Sequence, residues 1–88
     1  MKIVISDELT RTLKRLKRRD LTLFTQVQNK LSQIATFDEA SINHFKNLRS
    51  NMSNYKRVHI GSFVLLFRVE KDKDTIIFDR LVHHDDVY

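Results

Sequence analysis

Residues 55–63 read Tyr-Lys-Arg-Val-His-Ile-Gly-Ser-Phe, and this stretch decides the fold. Side chains alternate between the two faces of a strand, so the two aliphatic residues share one face while Arg57 and His59 share the other. A type II′ turn needs a positive φ at its first central residue, and Gly61, the single glycine of the chain, meets that need. The stretch therefore predicts a half-exposed strand that turns back at Gly61-Ser62.

Two further strands are predicted after this turn. Residues 63–69 are almost all apolar, which is typical of a central strand covered on both faces. Residues 75–82 form the next strand, and the charged residues 70–74 predict the turn between them. The C-terminal half is thus predicted to be an antiparallel meander followed by the tail 83–88.

The N-terminal half predicts one short strand and two amphipathic helices. Residues 2–5 contain β-branched side chains and indicate a strand, after which Ser6 can cap a helix with its hydroxyl. Apolar residues then recur at helical spacing, which predicts a helical hairpin whose second helix begins near Asp20 or Thr22. The two apolar stripes are Leu9, Leu13 and Leu16, then Phe24, Val27, Leu31 and Ile34.

The order of elements predicts an α+β fold. Residues 36–53 are polar and less periodic, so a loop with one short helical turn is expected there. The order is then β-α-α-β-β-β, with the helical hairpin packed on one face of an antiparallel sheet. A chain of 88 residues has room for one modest core, so residues 1–88 are predicted to form a single domain.

Charge is distributed unevenly along the chain. The net charge is +5, but residues 1–60 hold twelve Lys and Arg against five Asp and Glu, whereas residues 61–88 hold four against six. This asymmetry favours a polyanionic partner, with nucleic acid ahead of a membrane surface. The alternative is a basic surface that only interacts with water.

Several classes of protein are excluded by composition. The chain has no cysteine, so disulfides and thiolate zinc sites are impossible. The N-terminus lacks the apolar stretch of a signal peptide, and no run approaches the roughly 20 apolar residues that span a bilayer. A cytoplasmic protein without a membrane partner is therefore expected.

The C-terminal half resembles the RelE/ParE toxins. That family reads as a basic strand, a glycine turn, an aromatic-led strand, a further strand and a terminal His- or Arg-containing Val-Tyr motif. The detailed match covers residues 46–88, and the two preceding helices agree in order and charge. The matching segments are residues 55–63, 65–67, 75–78, 83–84 and 87–88.

This resemblance implies a microbial RNase-like fold and a toxin neutralised by a cognate, RelB-like antitoxin. RelE-like members cleave mRNA in the ribosomal A site, so mRNA and the ribosome are the further partners it implies. ParE-like members instead poison DNA gyrase. A toxin with weak or no catalysis, which binds only its antitoxin or nucleic acid, is the third alternative, because a shared fold does not decide activity.

The resemblance also implies catalytic residues. Cleavage through the 2′-hydroxyl needs a general base, a general acid and cations on the phosphate. Arg57 and His59 match positions that are commonly basic and catalytic in RelE-like nucleases, with His59 as base and Arg57 as phosphate clamp. His84 matches a tail position of the general acid, and Tyr88 one that stacks on a base or moves a proton. The alternatives are surface histidines and a disordered chain end.

One position departs from the family pattern. Val64 stands where active RelE-like toxins usually carry an arginine, so a phosphate contact is lost unless Lys56, Arg68 or Arg80 replaces it. The first helix adds a basic run that can bind phosphates without regard to sequence, unless it is only a solvated helix face. The residues predicted to contact RNA or phosphate are Lys14, Lys17, Arg18, Lys46, Arg49, Lys56, Arg68 and Arg80.

No cofactor and no metal site is predicted. The tail contains imidazole and carboxylate groups at His83, His84, Asp85 and Asp86, which are common metal ligands. Adjacent residues on a strand point to opposite faces, however, and this argues against a shared ion.

Overall fold

The computed structural model describes residues 1–42 and 55–86. Two short 3-10 turns span Lys71–Lys73 and His84–Asp86. The predicted order of one strand, two helices and three strands is confirmed, and the short helical turn expected between residues 36 and 53 is α3. The helices and strands are β1 Lys2–Ile5, α1 Asp7–Arg19, α2 Leu21–Ala35, α3 Glu39–Ile42, β2 Lys56–Ile60, β3 Phe63–Glu70 and β4 Thr75–His83.

The four strands form one sheet in the order β1-β4-β3-β2. The predicted antiparallel meander of β2, β3 and β4 is present, but β1 pairs with β4 in parallel, so the sheet is mixed rather than wholly antiparallel. The reason lies in the connection between β1 and β2. β2 begins at the end of the sheet where β1 began, so β1 runs in the direction of β2 and therefore of β4.

Both long helices pack on one face of the sheet, which we call the helix face. The core there combines Leu9 of α1, Val27 and Ile34 of α2, and Phe67 and Phe78 of the sheet, all fully buried. The two phenylalanine rings lie 5.8 Å apart between centroids. Burial of this aromatic and aliphatic set supplies the main favourable term for folding.

The apolar stripe of α2 differs in one residue from the predicted one. Leu23, four residues before Val27, is buried, whereas the predicted Phe24 is half-buried. Phe24 lies on the flank of the stripe, where it lines a groove with Ile3 and Ile5 of β1. Positions three and four residues from Val27 lie on the same side of a helix, so spacing alone cannot choose between them.

Side-chain caps fix the ends of the helices. The hydroxyl of Ser6 accepts a hydrogen bond from the backbone N–H of Leu9 at 3.0 Å, as the sequence predicted. Asp20 ends α1 and also caps α2, since its carboxylate accepts from the N–H of Leu23 at 3.0 Å. One residue therefore connects the two helices, and α2 begins within the predicted range. Among the described residues, no helix is long and apolar enough to cross a membrane.

The hairpin between β2 and β3 has the predicted two-residue loop. Ile60 pairs with Phe63, and Gly61 has a φ of 59°. Ser62 does not have a positive φ, which excludes a type I′ turn and leaves type II′. The register of the whole hairpin is fixed by this turn, because a slip of one residue would exchange the two faces of β2.

Candidate functional site

The face of the sheet opposite the helices, which we call the open face, carries the predicted catalytic residues of β2. Arg57 pairs with Leu66 and His59 pairs with Val64, and both partners belong to an apolar cluster separate from the main core. Residues that pair directly across strands point to the same side of a sheet. Arg57 and His59 therefore project together from the open face, where Arg57 is half-buried and His59 is exposed.

A β-bulge in β4 adds a third basic residue to this face. Leu66 pairs with Arg80 while Phe67 pairs with Phe78, so Asp79 has no opposite residue. In a regular strand Phe78 and Arg80, two positions apart, would point to the same side. The extra residue instead lets Phe78 enter the core on the helix face while Arg80 points to the open face. We call Arg57, His59 and Arg80 the open-face triad.

Hydrogen bonds from the start of α1 hold the bulge in place. The backbone N–H of Ser6 donates to the carbonyl oxygen of Phe78 at 3.0 Å, and the Ser6 hydroxyl donates to the carbonyl oxygen of Asp79. The same hydroxyl caps α1 through Leu9. A bulged residue has lost its ladder partners, so these contacts replace them and connect the direction of Arg80 to the junction of β1 and α1.

Arg57 and Arg80 stand on either side of Leu66. Strands are spaced by about 4.8 Å, so their Cα atoms, two strands apart, are separated by about 10 Å. The side chain of Arg80 is 38% exposed, yet its Nε atom is buried and has no hydrogen-bond partner among residues 1–42 and 55–86. Oδ2 of Asp79 lies 3.4 Å from that atom without hydrogen-bond alignment. The buried Nε atom cannot itself be reached by a ligand, so an anion would contact this guanidinium through its exposed part.

Val64 lies beside His59 on the neighbouring strand and is fully buried. It packs with Leu66 in an apolar cluster that Tyr55 and Val82 cover. This cluster confirms the prediction that β3 is covered on both faces. A buried valine cannot contact a phosphate, so any replacement for the family's arginine must come from another residue that reaches the open face.

Of the three proposed replacements, Arg80 alone lies on the open face without a strong ion pair to its charged group. Lys56 pairs with Phe67 and so lies on the helix face, where burial and the charge of Lys71 lower its pKa. Arg68 lies on the open face, but it donates to Glu70 at 2.6 Å, and this hydrogen bond raises its pKa. Arg80 is the remaining residue.

His84 lies at the end of the sheet beside the Gly61-Ser62 turn. Its backbone N–H donates to the carbonyl oxygen of Ser62 at 3.0 Å, which continues the β3–β4 ladder by one step. From strand spacing and rise, its Cα atom is about 12 Å from that of His59 and about 17 Å from that of Arg57. The structure therefore groups the open-face triad and sets His84 to one side of it.

His83 and His84 do not point away from each other, and here the geometric argument against a shared ion is wrong. β4 ends at His83 and a 3-10 turn begins at His84, so strand alternation stops between them. Their ring centroids are 4.9 Å apart. Ligand atoms of His83, His84 and Asp85 all lie within 4.8 Å of one another.

The basic run of α1 lies on the far side of the helix layer. Arg11, Lys14, Arg15 and Arg18 line a shallow depression on the surface of α1, opposite its leucine stripe, and Lys17 lies exposed at its edge. The sheet and helices separate this depression from the open-face triad. Among the described residues, the predicted cations of α1 therefore lie on the opposite side of the protein from Arg68 and Arg80, and Lys56 lies on the helix face.

Three predicted residues lie outside the described part of the chain: Lys46, Arg49 and Tyr88. Sequence reasoning gave no role to Asp79 or His83, which shape the open face and the end of the sheet. A bulge has no dependable signal in a single sequence.

The sequence is similar to a known protein family and to a named relative. The family model described as "ParE toxin of type II toxin-antitoxin system, parDE" matches residues 3–88. A protein of Methanocaldococcus jannaschii named "Putative toxin RelE4" is 37% identical over 87 residues, which cover 98% of this chain and 88% of that protein.

Solved structures share the fold. The YoeB/ParE toxin from Agrobacterium tumefaciens superposes with a TM-score of 0.73 at 14% identity, covering 96% of this chain and 99% of that one. The RelBE2 toxin–antitoxin complex from Mycobacterium tuberculosis contains a chain with a TM-score of 0.63 at 19% identity, covering 94% and 96%. At such identities the likeness concerns the fold alone.

Proposed function

Because the chain belongs to the ParE toxin family of type II toxin–antitoxin systems, we propose that it is the toxin of such a pair and that it cuts mRNA by acid–base catalysis on the open face. The observation that carries this proposal is the bulge at Asp79, which brings Arg80 to the side of Arg57 and His59. A base and two cations then share one solvent-accessible surface. Those are the groups that cleavage through a 2′-hydroxyl uses.

Each residue of the open-face triad has a role in this proposal. Arg57 and Arg80 bind the phosphate above Leu66. Arg80 replaces the arginine that active RelE-like toxins usually carry at the position of Val64. His59, two residues from Arg57 on the same strand, removes the proton of the 2′-hydroxyl. Imidazole suits this step because its ordinary pKa of about 6.5 is close to working pH.

His84 is the proposed general acid for the leaving 5′-oxygen, and Tyr88 stacks on a neighbouring base. The gap of about 12 Å between the Cα atoms of His59 and His84 can be bridged by two imidazole side chains directed toward a phosphodiester between them. Arg57 lies farther from His84 than His59 does, and its long side chain reaches toward the same phosphodiester. The proposed site is therefore elongated along β2, as a strand of RNA would be.

The partners follow from the family and from charge. A cognate antitoxin is proposed because the similar RelBE2 structure is a toxin–antitoxin complex. The depression on α1 supplies a second basic surface for ribosomal RNA, with Lys14, Lys17 and Arg18 as phosphate contacts. Lys46 and Arg49 extend the proposed RNA contacts. The toxin is proposed to act in the cytoplasm, where mRNA and ribosomes are found.

The test is expression of the chain from a tightly controlled promoter, followed by mapping of transcript ends by primer extension. We expect growth arrest with cleaved mRNA, and relief of both by His59→Gln or His84→Gln. Loss of a positioned general base or acid costs about 10²–10⁴ in rate. Lys30→Gln, on α2 away from both basic groups, is the control and is expected to remain toxic.

Two outcomes would contradict this function. Arrest with intact transcripts would exclude mRNA cleavage. Full toxicity of the double variant, His59→Gln with His84→Gln, would remove the mechanism, provided that its circular dichroism spectrum matches the wild type.

Inhibition of DNA gyrase is a second candidate function. The fully buried Val64 favours it, since the phosphate-binding arginine expected of an active RelE-like nuclease is absent there. A gyrase inhibitor needs no proton-transfer groups. Induction of a DNA-damage response with intact mRNA, unchanged in the His59→Gln variant, would select it over the nuclease.

A further inference from the structure

We propose that His83, His84 and Asp85 bind a divalent transition-metal ion such as Zn²⁺ and that the bound ion blocks the proton transfer assigned to His84. The metal-binding part stands on the geometry of the tail. The blocking part rests on the nuclease function proposed above.

The distances between the three side chains suit one small ion. Nε2 of His84 lies 3.0 Å from Oδ1 of Asp85, and Nδ1 of His83 lies 3.5 Å from Oδ2. Bonds of about 2.0–2.1 Å to a tetrahedral zinc ion place neighbouring ligand atoms about 3.3 Å apart. The two observed separations lie on either side of that value. The three ligand atoms all lie within 4.8 Å of one another, so rotations that shorten the longest of these separations would bring all three to the ion.

The neighbours of the His84 ring also favour metal binding. Its Nδ1 atom lies 3.2 Å from the carbonyl oxygen of Ser62 and its Nε2 atom lies 3.0 Å from Oδ1 of Asp85, and both oxygens can only accept. A neutral ring carries one proton, and metal binding at Nε2 places it on Nδ1. The lone pair of Nε2 then faces a carboxylate oxygen, which repels it. A proton or a metal ion at Nε2 resolves this conflict. Metal-binding histidines are commonly held in this way, with the other ring N–H on a backbone carbonyl.

His83 also directs a lone pair into the turn. The backbone N–H of Asp85 donates to its Nδ1 atom at 3.3 Å, so that nitrogen carries a lone pair, which a metal ion would take in place of this long hydrogen bond. The ring is held from the other side by an edge-to-face contact with Phe63, whose centroid is 5.5 Å away. The side chains of His83, His84 and Asp85 are 42%, 46% and 73% exposed, which leaves water free to complete the coordination.

The ligand types select the class of ion. Two imidazoles and one carboxylate suit Zn²⁺, Cu²⁺ or Ni²⁺, whereas Mg²⁺ and Ca²⁺ prefer oxygen ligands alone. The consequence for His84 is direct, because a metal bound at Nε2 occupies the nitrogen that would otherwise carry the transferable proton. A bound metal ion would thus prevent acid catalysis by His84 without contacting the open-face triad.

The binding test uses the full chain without an affinity tag and titrates it with Zn²⁺ by calorimetry. We expect one ion per chain, and affinity at least about tenfold weaker for Asp85→Asn and for His83→Gln. Asp72→Asn, an exposed acid in the other 3-10 turn, is the matched control and is expected to bind as the wild type does. Weakening of less than tenfold in either tail variant, no binding by the wild type, or equal weakening in the control would overturn the site.

Two further readouts separate the parts of the proposal. In ¹⁵N spectra of the histidine rings, Zn²⁺ is expected to shift Nε2 of His84 while Nδ1 keeps its proton; a shift at Nδ1 instead would overturn the ligand assignment. RNA cleavage is expected to fall as the site fills and to return with a chelator, and cleavage that continues on a filled site would overturn the block. If the wild type cleaves no RNA, the nuclease function fails while the measured Zn²⁺ affinity still decides the metal site.

Discussion

The two faces of the sheet use the same strands for different purposes. On the helix face, Phe67 and Phe78 are fully buried under two helices. On the open face, the small cluster of Val64 and Leu66 has Tyr55 and Val82 packed against it among residues 1–42 and 55–86, and basic residues stand around it. The contrast shows how a small chain separates stability from chemistry: one face excludes water, and the other keeps its cations in contact with it.

The largest expected effect tests the helix face. Phe67→Ala removes a fully buried ring from the contact with Phe78, and a substitution of this kind costs about 3–5 kcal/mol of the free energy of unfolding. Urea denaturation followed by circular dichroism measures it. Because this loss is comparable to the total stability of a small domain, the milder Ile76→Val, expected to cost about 0.5–1.5 kcal/mol, keeps the prediction measurable. A cost near zero for Ile76→Val would show that the helices do not pack on this face as described.

The next prediction concerns activity on the open face. Arg80→Gln is expected to lower RNA cleavage by about 10²–10³ with little change in stability, because it removes one contact to the charged phosphate. Arg68→Gln is the matched control on the same face, since its guanidinium is already bound to Glu70. We expect that variant to cleave RNA within a few-fold of the wild type. Equal losses in both variants, measured on a defined RNA substrate, would mean that the open face acts only through its total charge.

The sequence predicted those features of the two faces that depend on residues adjacent in the chain. The alternation of residues 55–60 and the glycine at residue 61 fixed the hairpin, because strand period and turn geometry are properties of adjacent residues. Ser6 was likewise predictable as a cap. The parallel pairing of β1 was not, since it depends on where the chain returns after two helices and a long connection.

The candidate site was less predictable than the fold for the same reason. Arg80 was named as one of three possible replacements for a missing arginine, but only the bulge at Asp79 decides that it faces Arg57. That bulge is held by Ser6, 73 residues earlier in the chain. The tail shows the reverse case. There the alternation of strand side chains was assumed to continue to His84, but the strand ends at His83.

The smallest expected effect is the contribution of the Glu70 charge to stability at the border of the open face. Glu70 binds Arg68 at 2.6 Å and Lys73 at 3.5 Å. The hydrogen bond from Arg68, together with the charge of Lys73, lowers the pKa of Glu70. A carboxyl whose pKa is lower in the folded state stabilises the fold above its unfolded pKa, and this contribution is lost as pH falls through the folded value. The wild type should therefore be slightly more stable than Glu70→Gln at neutral pH, and the difference should vanish in acid.

Urea denaturation of both proteins at a series of pH values measures this difference. Asp72→Asn, in the neighbouring turn, removes the same charge without the contact to Arg68 and serves as the control. The difference is expected to be small, because pairs near the surface are screened by water and salt. A gap between wild type and Glu70→Gln that stays constant into acid would show that Glu70 acts through packing rather than charge. Arg68 would then be free to bind RNA phosphate, and the argument that singles out Arg80 on the open face would lose its basis.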